Sequence, residues 1–237
     1  TKKSLYAKKI AVHKSGFRRI AHFLSDRIYE IFTENVGSYD TRLAYVTVTE
    51  DKNGIKVYKL QISDSDGFNP QTVIRSSELI SSPSWSPDQS KISFIWFKNG
   101  KAEVFVATPF EKKPATKLSI TEIGVVSSSA PSWHPNGESL LLTLQKGNNQ
   151  DIYSYNLISK ELNRLTSDTS VDQQANFSPD GMNIVFTSNR SGKNQLHIMN
   201  LKSRAVYRIP TKNHIGSKSN PVFSPDGEKI AFIQGID

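Results

Sequence analysis

Ser82-Pro83-Ser84-Trp85-Ser86-Pro87-Asp88-Gln89 is the first of four related stretches that decide how this chain folds. The others are Ala130-Pro131-Ser132-Trp133-His134-Pro135-Asn136-Gly137, Gln174-Ala175-Asn176-Phe177-Ser178-Pro179-Asp180-Gly181 and Asn220-Pro221-Val222-Phe223-Ser224-Pro225-Asp226-Gly227. Measured at Pro87, Pro135, Pro179 and Pro225, the spacings are 48, 44 and 46 residues. A period in that range, carried by strands, is the signature of a β-propeller blade. Such a ring more often binds than catalyses.

Each repeat follows one order. The Pro-x-Trp/Phe stretch leads into an apolar strand, such as Lys91-Ile92-Ser93-Phe94-Ile95-Trp96-Phe97 or Asn183-Ile184-Val185-Phe186-Thr187-Ser188. A polar turn follows, then a strand of period-2 alternation, as in Asp151-Ile152-Tyr153-Ser154-Tyr155. A short last strand closes the unit, as in Leu162-Asn163-Arg164-Leu165-Thr166. That makes four strands per blade. The blade units fall at about 41–77, 82–119, 130–167, 174–211 and 220–237, the last incomplete. Residues 42–75 carry three strands with no Pro-x-Trp strand before them, so the first unit is one strand short.

Before the repeats the period changes. Phe17, Ile20, Ala21, Leu24, Ile28, Ile31 and Phe32 recur at helical spacing and predict a helix of about four turns with one apolar stripe. Ser15 is its expected cap and Gly37 lies beyond its end; Arg18, Arg19, Asp26, Arg27 and Glu30 are expected to face solvent. Leu5–Val12 reads as a strand. One strand and one helix enclose no core, so residues 1–37 are expected to be the last strand and helix of an N-terminal α/β domain, with the propeller repeats over 38–237. The fold class is therefore mainly β: a partial propeller after the last strand and helix of a preceding domain.

Composition narrows the function classes. The chain has 237 residues, 36% hydrophobic, and no apolar run near the roughly 18 residues that span a bilayer. It has no cysteine, which removes disulfides and thiolate metal sites. Its net charge of +8 favours anionic partners at low salt, but no dense Lys/Arg run with interleaved aromatics supports nucleic-acid binding.

Ser-Pro-Asp-Gly is first of all a turn: proline presets φ, the aspartate caps its own backbone, and glycine supplies positive φ. Trp85, Trp133, Phe177 and Phe223 are expected to pack between blades. Asp64-Ser65-Asp66-Gly67 resembles a calcium loop only superficially, because an EF-hand register would put Ile62 at its first ligand position; a hairpin turn accounts for it. His13, His22, His134, His197 and His214 are scattered without metal-ligand spacing, and no Gly-x-Ser-x-Gly elbow is present. No catalytic residue, cofactor or metal site is expected.

These residues resemble the TolB family, propeller proteins of the bacterial Tol–Pal envelope system. The repeats carry part of the likeness. Its more specific part is Phe17-Arg18-Arg19-Ile20-Ala21-His22, Ser25-Asp26-Arg27-Ile28-Tyr29-Glu30 and Tyr39-Asp40-Thr41-Arg42-Leu43-Ala44-Tyr45-Val46, similar to that family's interdomain helix and first propeller strand. Ser63-Asp64-Ser65-Asp66-Gly67-Phe68-Asn69 is similar to its first blade turn. The resemblance implies an N-terminal α/β domain and a six-bladed ring closed by a C-terminal Pro-x-Trp strand. By that template this chain lacks most of the first domain and about two blades' worth of strands.

It further implies a monomeric, non-enzymatic periplasmic adaptor that binds the lipoprotein Pal at the propeller mouth and contacts TolA. Support of outer-membrane integrity and cell division, and capture by some colicins, follow from the same likeness. The loops lining that mouth would be Ser81-Ser82, Ser127-Ser128-Ser129, Asp172-Gln173 and Lys218-Ser219. The alternative, from the enzyme class, is the substrate-gating propeller of a prolyl-oligopeptidase-like serine peptidase.

Overall fold

The period-2 segments become antiparallel sheets taken up in chain order. A computed structural model describes the chain except residues 1–5, 7, 12, 14–15, 112, 121–124, 127–128, 212–215 and 236–237; for Val125 and Val126 it describes backbone alone. β1 (Arg42–Glu50), β2 (Lys56–Asp64) and β3 (Gln71–Ser76) form a three-stranded sheet in that order. β4 (Ile80–Trp85), β5 (Ile92–Lys98), β6 (Lys101–Ala107) and β7 (Thr116–Lys117) form a second sheet.

In the third sheet β8 (Val125–Val126) and β9 (Ser132–Trp133) both pair with β10 (Ser139–Lys146), followed by β11 (Asn149–Asn156) and β12 (Leu162–Arg164). β13 (Asp172–Phe177), β14 (Asn183–Ser191), β15 (Lys193–Asn200) and β16 (Val206–Arg208) form the fourth, and β17 (Lys218–Phe223) with β18 (Ile230–Gln234) the fifth. The chain divides into two compact units, Thr1–Tyr45 with Leu60–Ile74 and Val46–Lys59 with Arg75–Asp237.

The first unit holds α1 (Phe17–Thr33). Gly16 occupies the N-cap without a side-chain bond, and the expected cap Ser15 lies outside the described residues. The left-handed Glu34 ends the helix, its N–H donating to the Glu30 carbonyl at 2.9 Å. The polar face expected in solvent does the attaching. Arg18 reaches Asp64 at 3.1 Å, pairs with Asp66 and lies 4.2 Å from the Phe68 ring centroid. Asp26 accepts the Tyr39 and Asp40 amides, each at 2.7 Å.

Gly37 is required beside that carboxylate, since a Cβ there would fall 2.2 Å from Asp26 Oδ1. The apolar stripe, by contrast, buries no residue; Phe17, Ile28 and Phe32 are more than half exposed. Tyr6 and Lys8–Ala11 lie outside any strand, which corrects the strand expected at 5–12 for those residues: a strand needs a ladder partner, and among the described residues no sheet pairs with them. Leu5, Ala7 and Val12 of that segment lie outside the described residues.

In the second unit, burial on both sheet faces follows from unbroken apolar runs. Leu140, Leu142 and Leu144 of β10 point to one side, into a cluster with Ile95, Val104, Trp133 and Tyr155. Leu141, of opposite parity, packs with Ile152, Phe177, Ile184, Phe186 and Met199. The third sheet is thus packed against the second through one face and the fourth through the other. The motif aromatics follow this unevenly. Trp133 and Phe177 are buried, and Trp133 Nε1 donates back to the Ser84 carbonyl at 3.0 Å. Trp85 and Phe223 are only half-buried, Trp85 stacking on Phe110.

The Ser-Pro-Asp turn closes as its chemistry demands. Ser86 Oγ donates to Asp88 at 2.6 Å and accepts the Lys91 amide at 2.9 Å, while Asp88 accepts the Ser90 amide. Ser178 with Asp180 and Ser224 with Asp226 repeat the pattern. Hydrogen bonds from the Ser86 and Ser90 hydroxyls and the Ser90 amide depress the Asp88 carboxyl from 3.8 to about 2.

A folded value below the unfolded one stabilises above pH 3.8, and that contribution is lost as pH falls through about 2. A carboxyl-carbon titration should place the Asp88 midpoint near 2, and Asp88→Asn should flatten the acid limb of the stability profile over that window. A midpoint of about 4 would mean the hydroxyl bonds do not persist in solution.

Candidate functional site

Three of the Pro-x-Trp strands begin with the same local break. β4 slips register against β5 between Ser81 and Ser84, β13 against β14 between Gln173 and Asn176, and β17 against β18 between Ser219 and Val222. At the same motif position Ser82, Gln174 and Asn220 take φ of 55°, 57° and 50°. A non-glycine residue in the left-handed region is uncommon, and bulges of this type re-aim side chains next to binding sites.

The last two breaks are joined: Gln174 Oε1 accepts the Asn220 amide at 3.0 Å, and within its own sheet the Thr187 hydroxyl at 3.1 Å. Of the residues implied for the mouth, Ser81, Ser82, Ser129, Gln173 and Ser219 are partly exposed, whereas Asp172 and Lys218 are fully buried. Ser127 and Ser128 lie outside the described residues.

Behind Gln173 lies a polar network. Asp172 Oδ2 accepts Arg190 Nη2 at 2.8 Å, and Arg190 Nε donates to Ser188 Oγ at 2.9 Å. Ser170 Oγ donates to Asp172 at 3.4 Å, and the Arg190 guanidinium lies 5.5 Å from the Phe186 ring centroid. The Val171 amide donates to Asn189 Oδ1 at 2.8 Å, tying the segment before β13 to the β14–β15 hairpin.

The β10–β11 hairpin joins the same end, because Asn149 Nδ2 donates to the Asp168 carbonyl at 2.9 Å. There Asp151 accepts Arg164 at 2.6 Å while its other oxygen is buried without a partner. Burial raises the Asp151 carboxyl and Arg164 partly opposes that. Bonds from Ser170 hold Asp168 below its ordinary value, so it is ionised at neutral pH.

Sequence reading missed Arg190, Asp151 and Arg164, although the repeat encodes the last two. Sheet registers pair Phe105 with Lys117, Tyr153 with Arg164 and His197 with Arg208. Two residues before each first member stand Glu103, Asp151 and Gln195. Glu103 pairs with Lys117, and Asp151 with Arg164. Gln195 is the neutral variant, accepting from Arg208 at 3.4 Å. In each case the two side chains sit on adjacent strands of one sheet.

His197 is buried on β15, and desolvation lowers its pKa. His134 packs edge-on to Phe177, and His214 lies outside the described residues. Among the described residues no three His, Cys, Asp or Glu side chains group as metal ligands. No described helix is long and apolar enough to cross a membrane.

Comparison with known proteins adds the family. Residues 29–237 match the model of the TolB β-propeller domain. The Tol–Pal system protein TolB of Ruthia magnifica is 54% identical over 168 residues, 71% of this chain and 39% of that protein. The chain therefore spans about two-fifths of the length of that curated relative. The crystal structure of TolB from Acinetobacter baumannii superposes with a TM-score of 0.84 at 30% identity, over 96% of this chain and 55% of that one. A puromycin-hydrolysing peptidase of Mycobacterium tuberculosis shares the fold alone, with a TM-score of 0.56 at 14% identity over 74% of this chain and 28% of that one. With nearly nine tenths of its length under the propeller model and its repeats in register, this chain belongs to the TolB β-propeller domain family.

Proposed function

We propose that this chain is the propeller-bearing part of a non-enzymatic periplasmic adaptor of the Tol–Pal system. Its protein partner is the lipoprotein Pal, docked where the first strands of the sheets begin, with TolA contacted elsewhere. In that role it supports outer-membrane integrity and cell division, and colicins exploit it. The docking residues are Ser81, Ser82, Ser127, Ser128, Ser129, Gln173 and Ser219, with Asp172 and Lys218 acting from beneath by holding the strand starts.

The observation that carries this reading is the repeated left-handed break at Ser82, Gln174 and Asn220, with the last two hydrogen-bonded from the fourth sheet to the fifth. It turns polar side chains and backbone groups of successive sheets toward one end. Such a surface suits a protein interface, where hydrogen bonds fix register and buried anchors give affinity. The 54% identity to a Tol–Pal system protein supports the choice of partner system. Residues 1–37 would be the end of the α/β domain that precedes the propeller.

Purified Pal on beads should retain the full-length protein that carries this sequence, and Gln174→Val should weaken that retention by disturbing two neighbouring strand starts. A full-length protein that ignores Pal and cleaves a prolyl peptide would reverse the assignment in favour of the peptidase.

A further inference from the structure

Between the third and fourth sheets lies a cleft of about 480 Å³ that the mouth reading does not use. Arg164, Arg190 and Arg204 line it together with Asp168, and Met199 and Val206 supply apolar surface. The three guanidinium groups are not equivalent. Arg190 is four-fifths buried against the fully buried Asp172. Arg164 spends one nitrogen on the buried Asp151 and keeps 46% of its side chain exposed. Arg204 is exposed in the turn between β15 and β16, its amide donating to the Asn200 carbonyl at 2.8 Å and its Nη1 to the Leu165 carbonyl at 3.5 Å. An arginine carries five donors, so Arg164 and Arg204 both present unused N–H groups at the cleft.

We infer that this cleft is a subsite for an acidic peptide segment, whose carboxylate is held by Arg164 and Arg204. The charge arithmetic selects the ligand. Asp151 and Asp172 neutralise Arg164 and Arg190 from behind, which leaves one charge of each sign on the cleft, Arg204 and Asp168, so the fitting ligand carries both a carboxylate and N–H donors. A phosphate dianion would set two negative charges beside Asp168 with a single P–OH to offer it, and would leave Met199 and Val206 uncovered. A peptide carboxylate brings one negative charge to the arginines, while its flanking amide N–H groups satisfy Asp168. The volume exceeds what one small ion fills, and Met199 and Val206 provide contact for an apolar neighbour in the peptide. A planar carboxylate matches the guanidinium fork with two parallel N–H donors. The net charge of +8 steers such a segment toward the chain. This inference rests on the reading of the chain as a protein-binding module.

The test is a titration of the isotope-labelled chain, observed at the Ser167 amide and the Arg164 and Arg204 Nε–H signals. The probes are a blocked Asp-Glu-Leu tripeptide, its neutral Asn-Gln-Leu counterpart and inorganic phosphate. The acidic peptide should move these signals, and the neutral one should not. Arg204→Ala, which removes one 3.5 Å contact and leaves the fold intact, should weaken binding about fivefold. Raising salt from about 50 to about 200 mM should weaken it as well. Silence at Ser167 and Arg204, an unaltered affinity in Arg204→Ala, or an equal response to phosphate would each overturn the assignment. Retention of Pal by the same Arg204→Ala protein reads the adaptor proposal separately, since Arg204 lies outside the strand starts.

Discussion

Asp172→Ala should lower the unfolding free energy by about 3–5 kcal/mol, because it strands a largely buried guanidinium. The side chain of Asp172 is wholly inaccessible and that of Arg190 only 20% exposed, so water cannot take over the lost partner. Ser170 loses an acceptor in the same step. Asp172→Asn keeps the shape and one acceptor and should cost less, about 1–3 kcal/mol. The double substitution Asp172→Ala with Arg190→Met should recover much of the loss, since a buried pair replaced by apolar groups is often neutral or better. Urea unfolding of the wild type, Asp172→Ala, Arg190→Met and the double variant measures the pair as a cycle, with Asp172→Asn alongside. A single-variant loss below about 1 kcal/mol would show that the pair is solvated in solution.

Phe186→Ala should destabilise by a similar amount, about 3–5 kcal/mol, through a different mechanism. Phe186 is fully buried on β14, inside the cluster of Leu141, Ile152, Phe177 and Met199 that joins the third sheet to the fourth. Its ring also lies 5.8 Å from His197 and under Arg190. Truncation removes transfer free energy and leaves a cavity that two rigid sheets cannot close. Met182→Ala, at a side chain 64% exposed in the adjoining turn, should change stability by no more than about 0.5 kcal/mol. Equal effects at the two positions would mean that the sheets do not pack as described. Thermal or urea unfolding decides it.

Much of the fold was legible because it repeats. The spacing of the Ser-Pro-Asp turns, the Leu140–Leu144 run and the alternation of Asp151–Tyr155 are local patterns, and local patterns report strands and turns directly. The calcium-like Asp64–Gly67 stretch was readable as a hairpin for the same reason, and it forms one, Gly67 donating back to the Asp64 carbonyl at 2.9 Å. The helix at Phe17–Thr33 announced itself by its stripe, but its attachment did not. The stripe lies open, and Arg18 and Asp26 hold α1 through residues 46 and 13 positions away.

The candidate site was legible only in outline. Its loops could be located from the motif, since each precedes a Pro-x-Trp strand. That Asp172 and Lys218 are buried while Gln173 and Ser219 are open could not, because alternation gives parity and not which face a neighbouring sheet covers. The left-handed turns at Ser82, Gln174 and Asn220 carry no glycine to betray them. The arginine cleft joins residues from 164 to 206 on separate sheets, a proximity no linear spacing encodes.

The sequence by itself determined strands, turns, repeat period and family, because each depends on residues within one blade of one another. Only the tertiary structure decided which charges pair, which polar side chains are buried and where a cleft opens. Those depend on desolvation and contact between sheets, and neither exists until the sheets have packed.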